Sequence, residues 1–126
     1  MPFKNASIVY KKAQEIEYLS DSISRSFLFE YEHLDEDGKE HPDVYFLGDL
    51  IRDSIFLSSE ILLTENQPLR DQRIRYALKT RLRSSRLYNR CKRLEKRCSS
   101  GRDYILLLKK ELKKFHKLQE NWMTFL

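Results

Sequence analysis

Hydrophobic positions recur at steps of three and four along most of the chain, the spacing that gathers side chains on one face of an α-helix. Val9, Ala13, Ile16, Leu19 or Ser20, Ile23 and Phe27 form one such stripe and predict a helix over about 7–31, with Asn5 or Ser7 as its N-cap. Leu47, Ile51, Ser54 or Ile55, Ser58 and Leu62 predict a second over about 43–64. Ile74, Leu78, Leu82, Ser85, Tyr88, Cys91, Leu94 and Cys98 predict a third over about 68–98. Tyr104, Leu108, Leu112, Phe115, Leu118, Trp122 and Phe125 carry a fourth over about 101–125.

The intervals between stripes carry their own signals. HLDEDGKEHPD, residues 33–43, breaks every period and contains Gly38 and Pro42, so it reads as a loop. Pro42 suits the first turn of the second helix, and Asp43 lies where the helix dipole favours a negative charge. Gly48 costs that helix about 1 kcal/mol relative to alanine. Tight packing explains the cost, and the small residues Ser54, Ser58 and Ser59 would permit it. In ENQPLRD, residues 65–71, Asn66 reads as a cap and Pro68 as part of the first turn of the third helix. That connection is short, so the second and third helices are expected to be antiparallel neighbours. Ser100 and Asp103 form a capping-box-like pair ahead of the fourth helix. The fold these elements predict is all-α, an up-down-up-down four-helix bundle in a single domain spanning residues 1–126.

A chain of 126 residues buries roughly two thirds of its unfolded surface and needs neither metal nor disulfide to fold. Its net charge of +5 conceals an asymmetry: residues 1–66 hold 6 basic and 14 acidic side chains, residues 67–97 hold 12 and 2, and residues 98–126 hold 6 and 3. Such a bipolar molecule can meet two different partners or associate head to tail. Cys91 and Cys98 stand two turns apart on one helix, about 10 Å, too far for a mutual disulfide. Free, buried thiols point to a reducing compartment. The opening MPFKNASIVYKKAQ lacks an unbroken apolar core, and no run reaches the ~18 apolar residues of a membrane span, so the expectation is a cytoplasmic protein with no membrane role.

The third helix holds the strongest functional signal. Arg75, Lys79, Arg83, Arg86, Arg90, Arg93 and Arg97 follow one another at steps of 4, 4, 3, 4, 3 and 4, which makes a cationic stripe roughly 33 Å long. Only Asp71 and Glu95 offset the basic residues of this stretch. Arginine predominates over lysine, as phosphate recognition favours. The seven residues are therefore the candidate nucleic-acid-binding site, with Tyr76 and Tyr88 as candidate platforms for unstacked bases. An ordinary solvated helix face is the competing reading.

Catalytic chemistry finds little foothold. His33 and His41 sit in the acidic loop and His116 on the lysine-rich side of the fourth helix, without metalloenzyme spacing. Neither Glu30 nor Glu40 has a histidine three positions on, as a di-iron bundle would require. Asp35, Asp37 and Gly38 echo a calcium loop whose remaining ligands are missing. Arg102 and Tyr104 could form a small polar site, yet cap and core roles account for them. The expectation is a protein without catalytic residues, cofactor or metal.

From Ser7 onward the chain resembles the four-helix-bundle group that contains the accessory variability determinant (Avd) proteins of diversity-generating retroelements and, more distantly, the proteins encoded in 23S rRNA intervening sequences. The likeness lies in SIVYKKAQEI, FLGDLIRDSIFLSSEILLTEN, RIRYALKTRLRSSRLYNRCKRL and YILLLKKELKKFHKLQENW, in that order, with a late tryptophan. The resemblance implies a homo-oligomer of pentameric type that binds RNA, or an RNA/DNA hybrid, through basic surfaces. It also implies association with a reverse transcriptase during mutagenic copying of a template RNA into cDNA. The alternative it offers is a structural bundle of the intervening-sequence kind without a nucleic-acid role. The sequence departs from the Avd pattern in its acidic first half and in the loop HLDEDGKEHPD, so the arginine stripe is the part that carries over.

Overall fold

The computed structural model describes residues 6–30, 43–97 and 102–126, with side chains at 8–26, 48–96 and 102–126. These residues form five helical segments, α1 (Ala6–Glu30), α2 (Asp43–Ser54), α3 (Leu57–Glu65), α4 (Arg70–Arg97) and α5 (Arg102–Met123), and no strand is present among them. Segments α2 and α3 are two halves of one broken leg, so four helical legs pack together. Contacts run from α1 to α2 and α3, from these to α4, from α4 to α5 and from α5 back to α1. No helix among the described residues is long and apolar enough to cross a membrane.

Of the predicted stripe of α1, Val9, Ala13, Ile16, Ser20 and Ile23 are buried, and the side chain of Phe27 lies outside the described set. They join one apolar cluster with Leu50, Leu57, Ile61, Leu87, Cys91 and Leu94, closed from the other side by Ile105, Leu108, Leu112, Phe115 and Trp122. Burial pushes the Cys91 thiol up to about 12, so this sulfur is an inert core atom. Lys12 and Glu111 tie α1 to α5 at 2.8 Å. Their hydrogen bond raises the lysine and lowers the carboxylate. At the far end Arg73 Nε donates to the Leu126 carbonyl at 3.0 Å and its Nη1 to the Gln67 carbonyl at 3.0 Å. One guanidinium thus fastens the entry to α4 to the last residue of the chain.

The second predicted helix is not continuous. Ser54 Oγ donates to the Ile51 carbonyl at 2.8 Å and Ser59 Oγ to the Phe56 carbonyl at 3.1 Å. Hydroxyls that return to the preceding turn bend helices. Between them Phe56, the N-cap of α3, makes no side-chain cap bond. The cap comes from another helix: Glu17 Oε1 on α1 accepts the Ser58 N–H at 2.9 Å and its hydroxyl at 2.5 Å. A carboxylate at a helix N-terminus also meets the positive end of the dipole.

Several positions fall on a different face from the one the stripe counting assigns. In α2 and α3 the buried residues are Leu50, Asp53, Ser54, Leu57, Ser58, Ile61 and Thr64, while Ile55 and Leu62 are about half exposed. In α4 they are Ala77, Thr80, Ser84, Leu87, Cys91 and Leu94, whereas Leu78 and Leu82 face outward and Ser85 is exposed. In α5 Ile105 and Gln119 turn inward and Tyr104 outward, and Phe125, beyond the end of α5, is exposed. One position along a helix is about 100° of rotation, and here the small residues win the inner side because they let the helices approach. Two capping assignments change as well. Asn66 is the C-cap of α3, and Pro68 precedes α4 instead of lying in its first turn. The loop at 33–41, with its aspartates, two histidines and Gly38, lies outside the described residues, as do Pro42 and Cys98.

Gly48 is exposed, and a Cβ built on it meets nothing within 4 Å, so tight packing does not account for it. A glycine inside a helix with open space around it is a pure entropic loss. Gly48→Ala is therefore expected to raise the stability of the folded chain by about 0.5–1 kcal/mol in chemical denaturation. A destabilised variant would show that something else occupies this position.

Candidate nucleic-acid interface

Helix α4 begins with Asp71 in its first turn and holds its period without glycine or proline for 28 residues. Its buried seam fixes its rotation. Opposite that seam, at the same angle to within about 20°, lie Arg75, Leu82, Arg86 and Arg93, all exposed. Lys79 is exposed beside them, its ammonium 5.1 Å from the centre of the half-buried Tyr76 ring. Arg97 is the last residue of α4, and its side chain lies outside the described set. Among the described residues no carboxylate pairs with Arg75, Lys79, Arg86 or Arg93.

Arg83 and Arg90 behave differently. They sit about 60–80° further round the helix, turned toward α2 and α3. Arg83 Nε donates to Glu60 Oε1 at 2.7 Å, its Nη1 lies 3.4 Å from Asp53 Oδ1, and its guanidinium carbon stands 5.2 Å from the Phe56 ring centre. Arg90 forms an ion pair with Asp53 Oδ2 and donates to the Asp49 carbonyl at 3.3 Å. The Asp53 side chain is only 8% exposed. Two members of the predicted row thus neutralise the acidic face of the α2–α3 leg. The charge complementarity that the composition suggests between molecules is partly consumed within one.

On the other flank of α4 the structure gathers cations that helix-by-helix counting does not connect. Tyr88 is half-buried at the α4–α5 seam, with the ammonium groups of Lys92, Lys109 and Lys113 at 5.1, 5.6 and 5.9 Å from its ring centre. Its ring centre lies 6.3 Å from that of His116. Lys92, Glu95, Lys96, Arg102 and Lys109 line a cleft of about 500 Å³ beside it. Arg86, Asn89, Arg90 and Arg93 line a smaller recess of about 170 Å³ on the α2 side. The available signal was the i, i+4 pair Lys109 and Lys113 on α5 matched by Tyr88 and Lys92 on α4. Only the docking of the two helices merges them. The whole forms a cationic surface centred on the C-terminal half of α4, broken in the N-terminal half by the outward pair Leu78 and Leu82.

His116 is half-buried, and burial lowers its basicity below that of a free histidine. Among the described residues no group of three or more His, Cys, Asp or Glu could hold a metal ion.

Two outcomes follow for the stability of the fold. Arg90→Ala removes the partner of a buried carboxylate and is expected to cost about 2 kcal/mol, whereas Arg86→Ala on the open face stays within about 0.5 kcal/mol. Equal losses in denaturant titrations of the two variants would contradict the division of the row. Burial holds the basicity of His116 in the fold below the ordinary value, so the unfolded chain takes up its proton more readily, and the contribution is complete above about pH 6.5 and declines as pH falls below it. Wild type is expected to lose more stability between pH 7 and pH 5 than His116→Asn, measured by thermal melts across that range. No protein family, curated protein or solved structure matches the chain.

Proposed function

We propose that this chain is a non-enzymatic nucleic-acid-binding accessory protein of the diversity-generating-retroelement type, a partner of a reverse transcriptase and its template RNA during mutagenic cDNA synthesis in the cytoplasm. One observation carries the reading. Arg75, Arg86 and Arg93 stand exposed along one face of α4, opposite its buried seam, with Lys79 exposed beside them, and none has a carboxylate partner among the described residues. From Arg75 to Arg93 that row spans roughly 27 Å, the scale of several phosphates rather than one small ligand. Arginine forks suit phosphate oxygens, and such contacts position a nucleic acid without reading its bases. RNA, or an RNA/DNA hybrid, is the ligand this surface fits.

An up-down-up-down order of the four legs is part of the proposal. The pairing of Glu60 with Arg83 and of Asp53 with Arg90 supports it, as does that of Glu95 with Lys109 and of Arg81 with Glu120. In each set a rising number on one leg meets a falling number on the next. The proposal also includes a homo-oligomer of pentameric type. A second reading, a structural bundle of the intervening-sequence kind, draws on Leu78 and Leu82, which are 50% and 55% exposed in the middle of the basic face and suit a protein contact.

The test uses Arg86→Ala combined with Arg93→Ala, because neither residue holds the fold together. RNA affinity is expected to fall steeply with salt. The double variant is expected to bind more weakly, with a slope of log K against log salt shallower by about 0.7 per contact removed. Circular dichroism serves as the folding control. Light scattering on the same samples is expected to report a mass several times 15.3 kDa. Equal affinity and equal slope for the two proteins would remove RNA from this face and favour the structural bundle, and a monomer would remove the oligomer.

A further inference from the structure

The cleft between α4 and α5 differs in kind from the open arginine row. Four cations and one carboxylate line its roughly 500 Å³, a space large enough for a phosphate group and the sugar attached to it. Glu95 takes Lys109 as its partner at 2.7 Å, and Arg102 Nε donates to the Glu95 carbonyl at 3.1 Å. Among the described residues no carboxylate pairs with Lys92 or Lys96. The ammonium groups of Lys92 and Lys109, both in the lining, each lie within 6 Å of the Tyr88 ring centre, whose face favours cations. Glu95 offsets one of the four cations, so the lining carries a net positive charge at a concave spot.

We propose that this cleft is a pocket for a compact phosphate dianion, carried either by the 5′ end of a nucleic acid or by a free nucleotide or pyrophosphate. A terminal phosphomonoester bears close to two charges at neutral pH and three acceptor oxygens, against the single charge of each internal diester. Convergent donors therefore select the terminus. Lys92 and Lys96 are exposed and reach it as mobile point charges, and Arg102 offers a planar fork. Glu95 is the competitor: an arriving phosphate shares Lys109 with it. The nucleic-acid source rests on the function proposed above, while the pocket itself does not.

The experiment titrates the full chain with inorganic pyrophosphate by calorimetry at low salt. In parallel, the same single-stranded RNA is compared with a 5′-phosphate and with a 5′-hydroxyl by fluorescence anisotropy. Pyrophosphate is expected to bind, and Lys92→Ala combined with Arg102→Ala to weaken it by about tenfold or more. Glu95→Gln is expected to tighten it, because the competing charge is gone, and a variant that binds better cannot owe its behaviour to misfolding. Tighter binding of 5′-phosphate RNA, abolished in the lysine–arginine variant, assigns the pocket to nucleic-acid ends. Pyrophosphate binding with equal affinity for the two RNAs assigns it to free phosphates. No pyrophosphate binding, or binding indifferent to all three substitutions, overturns the pocket even where both RNAs bind. Pyrophosphate binding without RNA binding leaves the pocket standing and removes only the nucleic-acid reading.

Discussion

Asp53 closes the last described turn of α2 with its side chain almost wholly out of water, and a carboxylate in that position is tolerable only when cations meet it. Arg83 and Arg90 reach it from α4, seven residues and two turns apart, and Arg83 also takes Glu60 on α3. The cluster therefore spans the break in the α2–α3 leg and holds both halves to the same helix. Its register admits no slip, since moving α4 by one residue would rotate both guanidinium groups about 100° away and leave the carboxylate buried alone. The rotation of α4, and with it the direction of every other cation on that helix, follows from this contact.

The interior explains why such specification is needed. Ser20, Ser24, Ser54, Ser58, Thr64, Thr80, Ser84 and Gln119 are all buried, so a large share of the core is small and polar. Small side chains permit close helix approach but supply little apolar area to choose among rotations. Polar pairs then supply the choice. Glu17 caps α3, Gln119 Nε2 reaches the Ala77 carbonyl at 3.4 Å, and Arg73 fixes the entry of α4. Large apolar groups fill the rest of the single cluster, among them Leu87, Leu94, Ile105, Leu108, Leu112, Phe115 and Trp122.

Much of this was legible from the residues. The helical character of the chain, the turn near residues 65–69 and most of the stripe of α1 are written in periodicity, because that stripe contains large aliphatic side chains with few rivals. In α4 the rivals are strong. Leu78 and Leu82 outweigh Ala77, Thr80 and Ser84 in any count of hydrophobicity, yet the small residues are the ones that face the core. The break in the second leg carried only a weak signal, the serines at 54, 58 and 59, since its cap comes from Glu17, 41 residues away in sequence. The candidate site divided the same way. The exposure of Arg75, Lys79, Arg86 and Arg93 could be read from spacing, but the partners of Arg83 and Arg90 lie 23 to 41 residues distant, and local spacing cannot report them.

The paired and the open cations of α4 are separated by angle rather than by length. Cations turned toward α2 and α3 are partly shielded from solvent and paired, so added salt screens them weakly. Those on the outer face stand in water, and their interactions are the ones a Debye length of about 10 Å at 0.1 M salt erodes. A rise in ionic strength therefore weakens the field of the outer face while the helix keeps its own packing. The arrangement also limits self-repulsion, because a row of seven cations on one helix would destabilise it through like-charge pairs at i, i+4. Drawing Arg83 and Arg90 aside into carboxylate contacts interrupts that row at two places and so relieves part of the repulsion.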